Sequence, residues 1–142
     1  MSKSSLTVHN LGSINLSSDV IVNVINVTGA SFTVPATESG NIITCSGYTA
    51  GTAVITIPKL AGAQYTIVQK SASNPFAVSS PLPIYGTLIC AGTGGNVAVT
   101  GGQTLTFTTN GKIGDSAVLS CDGSKYFVRG TFGTIGSLTS TA

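Results

Sequence analysis

The side chains in this chain that could perform chemistry are one histidine, three cysteines, four carboxylates and a Gly-Asp-Ser sequence at 114–116. Gly-Asp-Ser surrounds the nucleophile of many serine hydrolases, and His9, Asp19 and Ser116 follow each other in the order of a His, Asp, Ser triad. The residues after Ser116 are Ala117 and Val118, which begin a strand-like run and are not the glycines that help to shape an oxyanion hole. We therefore predict a turn that leads into a strand at this position, and no catalytic triad.

The cysteines Cys45, Cys90 and Cys121 are odd in number and widely spaced, and no two of them form a C-x-x-C motif. This argues against a disulfide framework and against a zinc site. A Cys–His dyad would need His9 beside one of them and a nearby group that lowers the thiol pKa; the only basic residue near any of them is Lys125. We predict that all three thiols are small buried hydrophobic side chains.

The four carboxylates, Asp19, Glu38, Asp115 and Asp122, could in principle supply the pair that glycoside hydrolysis needs. Asp115 and Asp122 lie in turn contexts that Asp favours for its own hydrogen bonds. One His and four scattered acids give no metal cluster, and Gly92–Asn96 lacks the Lys-Ser/Thr ending of a phosphate-binding loop, so we predict a hairpin loop there. The prediction is a protein that is not an enzyme and has no catalytic, cofactor-binding or metal site.

The composition shows which elements hold these residues. Charged residues make up 7% of the 142, against about 25% in an ordinary soluble domain, while 18 Ser, 20 Thr and 18 Gly accompany 42% hydrophobic residues. This is typical of strands and turns. The net charge of +2 provides no polybasic surface for nucleic acid or for anionic lipid.

Glycines and prolines interrupt the chain at short intervals after Val20–Val27, so no helix of ordinary length fits between them. The segments that remain are β-branched runs, several of which alternate apolar and polar residues, and we predict eleven strands. They lie near Leu6–Val8, Val20–Val27, Ser31–Val34, Ile42–Tyr48, Ala53–Ile57, Tyr65–Lys70, Ile84–Ala91, Val97–Thr100, Leu105–Thr109, Ala117–Cys121 and Tyr126–Arg129.

Asn110-Gly111 and Asp122-Gly123 are the strongest turn signals, because a two-residue hairpin turn needs positive φ at both central positions. The second of them predicts a terminal antiparallel hairpin. The fold class that follows is all-β, a jelly-roll-like β-sandwich of many short antiparallel strands in a single domain over residues 1–142. A β-solenoid is the alternative, although no repeat of fixed period runs along the chain.

The N-terminal residues lack the apolar region of a secretory signal, and no run reaches the length of a membrane span, so we expect synthesis in the cytoplasm and no membrane insertion. The tail is rich in Gly, Thr and Ser, and the low charge fits contact between protein chains. We predict that residues 1–12 and 131–142 act as interchain arms, and that Leu6–His9 and Thr131–Ala142 carry assembly through strand exchange or docking.

The order of signals from Ala53 to Gly130 resembles a group of virion proteins. It comprises an apolar strand ending in Pro58, Gly62 followed by Tyr65-Thr66-Ile67, a glycine at Gly86, and a closing run of Gly-Asp, an apolar strand, Asp-Gly and Tyr126-Phe127. This resembles modules in phage tail fibres and in minor capsid, spike or fibre proteins of large double-stranded DNA viruses and their satellites, where a Trp-Tyr pair often occupies the position of Tyr126-Phe127. The resemblance implies a trimeric β-structure that decorates, cements or projects from a virion, and brings no catalytic residues.

The leading hypothesis is thus a homotrimeric structural protein of the virion, made in the host cytoplasm, with other capsid proteins as partners. It would be a minor capsid, cement, spike or fibre-head component. The alternative is a lectin-like module at a fibre tip that binds a host-surface receptor or glycan through exposed aromatics and amides. The candidate aromatics are Phe32, Tyr48, Tyr65, Phe76, Tyr85, Phe107, Tyr126, Phe127 and Phe132. A small hydrolase is the third hypothesis, and it requires Ser116 or a cysteine within hydrogen-bond reach of His9.

Overall fold

Strands make up almost all of the regular structure in a computed structural model of the chain, which describes residues 23–46, 48–72, 74–91, 95–133 and 138–141. Within those ranges there is no α-helix, and the all-β prediction is confirmed. The strands are β1 (Val24–Val27), β2 (Ser31–Thr33), β3 (Ile42–Cys45), β4 (Ala53–Thr56), β5 (Gln64–Gln69), β6 (Phe76–Cys90), β7 (Asn96–Phe107), β8 (Ser116–Cys121), β9 (Tyr126–Phe132) and β10 (Leu138–Thr141), with one 3₁₀ turn at Ala36–Glu38.

The first six strands form two parallel ladders, because each strand pairs with the strand two places further along the chain. One ladder is β1–β3–β5 and the other is β2–β4–β6. Parallel neighbours need a crossover connection, and the strand of the opposite ladder supplies it. The expectation of antiparallel strands throughout is therefore wrong for these pairs and for β6–β9, which is also parallel.

This coiling is the arrangement of a short β-solenoid. The register partners are separated by 18 residues from Val24 to Ile42 and by 24 from Ile42 to Thr66 in one ladder, and by 23 from Ser31 to Val54 and from Ala53 to Phe76 in the other. A coil of about 23 residues is therefore present, but the first step of 18 departs from it and no sequence repeat accompanies it. A jelly roll is built from antiparallel strands, so the parallel ladders depart from it. Strand propensity and turn residues identify where strands lie, but they do not determine which partner each strand takes.

The β8–β9 hairpin joins the two ladders. It pairs antiparallel with β5 on one side and parallel with β6 on the other, so the sheet order is β1-β3-β5-β8-β9-β6-β4-β2. Only residues 28–30 separate the two end strands β1 and β2 in the chain, and the sheet is nearly closed, like a barrel. The predicted antiparallel hairpin is confirmed, with Gly123 at φ 96°, but four residues lie between Cys121 and Tyr126 where the sequence predicts a two-residue turn at Asp122-Gly123. It is also not the terminal element, since β10 follows β9.

The hairpin predicted at Asn110-Gly111 is wrong. β7 and β8, which flank this sequence, pair with other strands: β7 with β6 and β10, and β8 with β5 and β9. Gly111 has a different reason to be glycine, since a Cβ there would lie 2.0 Å from Oε1 of the buried Gln69. The Asn-Gly signal therefore marks a turn, closed by the hydrogen bond from the N–H of Gly111 to the carbonyl of Thr108 at 3.0 Å, but this turn lies in a connection and does not form a hairpin.

β6 and β7 are longer than the sequence indicates. β7 joins the predicted run Val97–Thr100 to the predicted run Leu105–Thr109 without a break between them, and it ends at Phe107, two residues before the predicted end of the second run. β6 continues through Pro81 and Pro83, where its register with β7 shifts between Ser79 and Ile84. Proline has no N–H to give to a ladder, so it occurs where the ladder is interrupted.

The structure describes only one of the two predicted arms. Residues 1–12 lie outside the described residues, as does the predicted strand Leu6–Val8. In the C-terminal arm, β9 ends at Phe132 and β10 pairs antiparallel with β7 of its own chain, through Leu138↔Phe107 to Thr141↔Thr104. The exchange of this arm between chains stays a prediction.

The core lies between the two ladders and is filled by every second residue of each strand. β9 shows this alternation, with Tyr126, Val128 and Phe132 buried and Phe127 exposed. Tyr126 also satisfies its hydroxyl, which donates to the carbonyl of Pro58 at 2.6 Å, and burial raises its pKa. In the parts of the chain that the structure describes, no helix is long and apolar enough to cross a membrane.

Candidate functional site

Ser116 is the one member of the considered triad within the described residues, since His9 and Asp19 lie outside them. It begins β8, and its Oγ lies 3.3 Å from Oγ1 of Thr131, its register partner on β9. Ser116 is therefore a residue of a paired strand, and its hydroxyl forms a hydrogen bond with the hydroxyl of Thr131. The turn-then-strand prediction for 114–116 is thus confirmed.

The three cysteines are inward-facing core residues, with relative exposures of 0% for Cys45, 9% for Cys90 and 6% for Cys121. No disulfide joins them. The Sγ of Cys121 accepts a hydrogen bond from the backbone N–H of Gly123 at 3.3 Å, which helps to fix the start of the β8–β9 turn. The prediction of buried cysteines is confirmed.

Asp115 is buried and has a structural environment. Its Oδ2 accepts from the N–H of Lys112 at 3.0 Å, and its Oδ1 accepts from the N–H of Gly133 at 2.9 Å. The carboxylate therefore connects the turn before β8 to the end of β9. Both oxygens of this buried carboxylate accept from backbone N–H groups, as the turn interpretation of this residue requires.

Asp122 holds the β8–β9 turn. Its Oδ1 accepts from the backbone N–H groups of Ser124 and Lys125, each at 2.8 Å, and from the Ser124 hydroxyl at 2.9 Å. These hydrogen bonds, helped by the charge of Lys125, lower the pKa of Asp122. The residue acts as a turn former, as its sequence context predicts.

Acidification is expected to loosen this turn. Because the folded pKa of Asp122 is lowered, its stabilising contribution is complete above the ordinary carboxyl pKa and is lost as the pH falls through the lowered value. The amide resonances of Ser124 and Lys125, followed by NMR from pH 6 to pH 2, should shift together in that range. In Asp122→Asn the same shift should be absent; its persistence would assign the transition to another group.

Metal-ligating residues do not gather within the described ranges, where no group of three His, Cys, Asp or Glu side chains could hold an ion. Glu38, on the 3₁₀ turn, accepts a hydrogen bond from the Asn41 side chain. β6 and β7, which flank Gly92–Asn96, pair antiparallel with Ile89 opposite Asn96, as expected for a hairpin connection. Residues 92–94 themselves lie outside the description.

The aromatic side chains divide into a buried set and an exposed pair. Tyr65, Phe76, Phe107, Tyr126 and Phe132 are in the core, and Phe32 and Tyr48 pack against it. Phe127 and Tyr85, by contrast, are 49% and 41% exposed. They are register partners on β9 and β6, so they stand next to each other on the outside of the sheet.

This exposed pair belongs to a row that crosses four strands. The register places Gln64 opposite Ser120, Ser120 opposite Phe127, and Phe127 opposite Tyr85. Arg129 lies two residues from Phe127 on the same side and opposite Val118. We call the outward side chains of Gln64, Tyr85, Val118, Ser120, Phe127 and Arg129 the outer face.

The outer face contains a shallow cavity of about 430 Å³, lined by Gln64, Val118, Ser120, Phe127, Val128 and Arg129. Lys125 stands at its margin, with Nζ 5.7 Å from the ring centre of Tyr85 and 6.0 Å from that of Phe127. Both distances are within the range of a cation–π contact. The outer face thus combines two aromatic rings, two cations, one amide and one hydroxyl around a shallow cavity.

Part of this surface is visible in the sequence. The alternation in Tyr126–Arg129 separates Tyr126 and Val128 from Phe127 and Arg129, and the structure places the second pair outward. The hairpin signal at Asp122-Gly123 predicts that β8 and β9 pair, but a two-residue turn there would bring Ser120 opposite Lys125, whereas the structure brings it opposite Phe127. The arrival of Gln64 and Tyr85 depends on strand pairings across long stretches of chain, for which the sequence carries no local signal.

Comparison of the chain with protein-family models, with curated proteins and with solved structures finds no match. The resemblance to virion proteins therefore rests on the sequence motifs from Ala53 to Gly130, and it stays a prediction.

Proposed function

We propose that this protein is a homotrimeric structural component of a virion, associated with the capsid as a minor capsid, cement, spike or fibre-head protein. The observation that supports self-assembly is a set of sheet edges that have no second strand among the described residues. Among the described strands, β1, β2 and β10 each pair on one side only. None of the residues in these three strands is charged, and none is proline.

Open edges of this kind favour pairing with another chain. An edge strand presents a row of N–H and C=O groups, and monomeric proteins usually guard it with lysine, proline or a bulge. Here β1 even exposes an apolar side chain, Val24, at 61%. An edge of this kind is expected to be covered by a partner strand, and an identical chain is the partner that every copy meets.

β10 supports the same proposal from the other end of the chain. It is a four-residue strand that pairs only with the end of β7. The same antiparallel ladder could form with β7 of a neighbouring chain, which is strand exchange as predicted for residues 131–142. The virion assignment is supported separately, by the sequence motifs.

The solution mass tests the assembly. Light scattering at micromolar concentration, and again after tenfold dilution, is expected to give three times the chain mass of 14.2 kDa in both samples. A mass of one chain at both concentrations would contradict the proposal.

A pair of lysine variants tests whether the edges carry the assembly. Thr33 on the edge strand β2 and Thr56 on the internal strand β4 are exposed register partners. A lysine at an edge opposes pairing with another strand, so Thr33→Lys, together with Val24→Lys on β1, is expected to lower the mass to that of one chain. Thr56→Lys should remain a trimer. If the Thr33→Lys, Val24→Lys protein also keeps the trimer, the interface lies elsewhere.

A further inference from the structure

We propose that the outer face is a binding site for an acidic glycan, a sugar that carries a carboxylate or a sulfate. The site is independent of the assembly proposed above, because it uses the outward side chains of β5, β6, β8 and β9 and not the edges of β1, β2 and β10. Its chemistry follows from three features: a platform of two rings, a row of neutral hydrogen-bonding groups and a positive charge from Arg129 and Lys125, of which Lys125 also interacts with Asp122.

The platform is formed by Phe127 and Tyr85, which keep about half and two-fifths of their surface exposed although they are large and aromatic. Their neighbouring positions on paired strands give a flat apolar surface, and the pyranose ring of a sugar has an apolar C–H face that can cover it. Phe127 also lines the shallow cavity, whose volume of about 430 Å³ is in the range of small-ligand sites.

The hydrogen-bonding groups lie in the same row. Gln64 and Ser120 follow Phe127 across β8 and β5, and both line the cavity. An amide offers donors and an acceptor, and a hydroxyl offers both, which suits the hydroxyl groups of a sugar. Val118 provides an apolar part of the lining between these two residues and Arg129.

The positive charge of the outer face favours an anionic ligand. Arg129 lines the cavity and Lys125 stands over the rings, while none of the outward residues of these four strands is acidic. Two of the described carboxylates are engaged elsewhere, since Asp115 binds the backbone N–H groups of Lys112 and Gly133 and Glu38 binds Asn41. Asp122 lies in the turn beside Lys125 and offsets part of that charge, so Arg129 is the main anion partner. The planar guanidinium of Arg129 can hold a carboxylate or a sulfate with two parallel hydrogen bonds.

The same charges disfavour two other occupants. A second copy docked by a two-fold axis would bring Arg129 and Lys125 of both chains together, which is repulsive. Nucleic acid binding depends on the neutralisation of several successive phosphates, and this face offers two cations. One or two acidic groups on a sugar match the charge that is present.

Isothermal titration calorimetry of the full chain tests this proposal with four probes: a hyaluronan tetrasaccharide, a heparin tetrasaccharide, neutral N-acetylchitotetraose and a tetraglutamate peptide. At least one acidic sugar is expected to bind at least tenfold more tightly than the neutral sugar and the peptide. Equal binding of the neutral sugar would overturn the requirement for an acidic group. Equal binding of the peptide would assign the face to acidic proteins, and no binding by either acidic sugar would refute the site.

Variants locate the binding. Arg129→Gln removes the anion partner and Phe127→Ala removes the platform, and each is expected to weaken acidic-sugar binding at least tenfold. Lys70→Gln, a cation at the opposite end of β5, and Ile113→Ala, an exposed apolar residue outside the face, should bind like the parent protein. Unchanged affinity in the first two variants would contradict the proposal. Light scattering on all four distinguishes this failure from a failure of assembly.

Discussion

Replacing Gly86 by alanine is expected to prevent the protein from folding. Gly86 lies inside β6 at φ +149°, where a Cβ would come within 1.9 Å of the backbone oxygen of Val128 on the paired strand β9. Neither the strained backbone nor the neighbouring main chain can yield without separating β6 from β9. We expect a loss of at least about 4 kcal/mol in the free energy of unfolding, measured by urea denaturation, or insoluble expression.

Gly29→Ala is the matched control for this prediction. Gly29 lies between β1 and β2, outside the left-handed region, and an added Cβ meets nothing within 4 Å. Its free energy of unfolding should stay within about 0.5 kcal/mol of the parent. A stable, soluble Gly86→Ala protein would show that β6 and β9 are not paired at this position.

Gly86 also shows which part of the fold can be predicted from the sequence and which part cannot. A glycine inside a strand-forming run indicates a bulge or a close approach of another backbone, and this much is visible in the sequence. The identity of the approaching strand is not, because β9 is forty residues further along and reaches β6 through a parallel pairing. Such a pairing is decided by how whole strands pack, and no residue next to Gly86 encodes it.

Features that depend on local sequence were predicted correctly, and features that depend on the pairing of distant strands were not. Strand positions follow from β-branched runs and from glycine and proline, and the β8–β9 hairpin follows from a local turn, so these were predictable. The parallel ladders were not, since the connection of residues 28–30 is as short as a hairpin loop and yet leads into the opposite ladder. Asn110-Gly111 was misleading as a hairpin signal because Gly111 is required by the close approach of Gln69, a residue distant in the sequence.

The two proposals assign assembly to the sheet edges and ligand binding to the outer face. Within the described residues, β1, β2 and β10 each pair on one side only and carry no charge, which suits pairing of their free edges with another strand. The outer face has its backbone fully paired within the sheet and offers side chains alone, which suits a ligand. A protein built this way could assemble through its edges and leave the rings and cations of the outer face exposed on the particle.

Replacing Phe107 by alanine is expected to destabilise the protein by about 3–5 kcal/mol, as large-to-small changes of buried aromatics do. Phe107 and Phe76 are fully buried register partners on β7 and β6, stacked with ring centres 4.3 Å apart and planes 12° from parallel. Their contact lies where β7 meets both β6 and β10, so its loss should also speed hydrogen exchange at Thr139 and Ser140. Urea denaturation at fixed protein concentration measures the first effect and NMR the second.

Leucine variants separate the ring contact from simple loss of volume. Phe107→Leu and Phe76→Leu keep the site apolar and largely filled, so each should cost less than the alanine change. The double variant should then cost less than the two together by about 0.5–1.5 kcal/mol, the coupling expected of an aromatic pair. Additive leucine variants would mean that the rings contribute by burial alone. Unchanged exchange of the β10 amides in Phe107→Ala would show that β10 is held by something other than the end of β7, and a neighbouring chain would then be its expected partner.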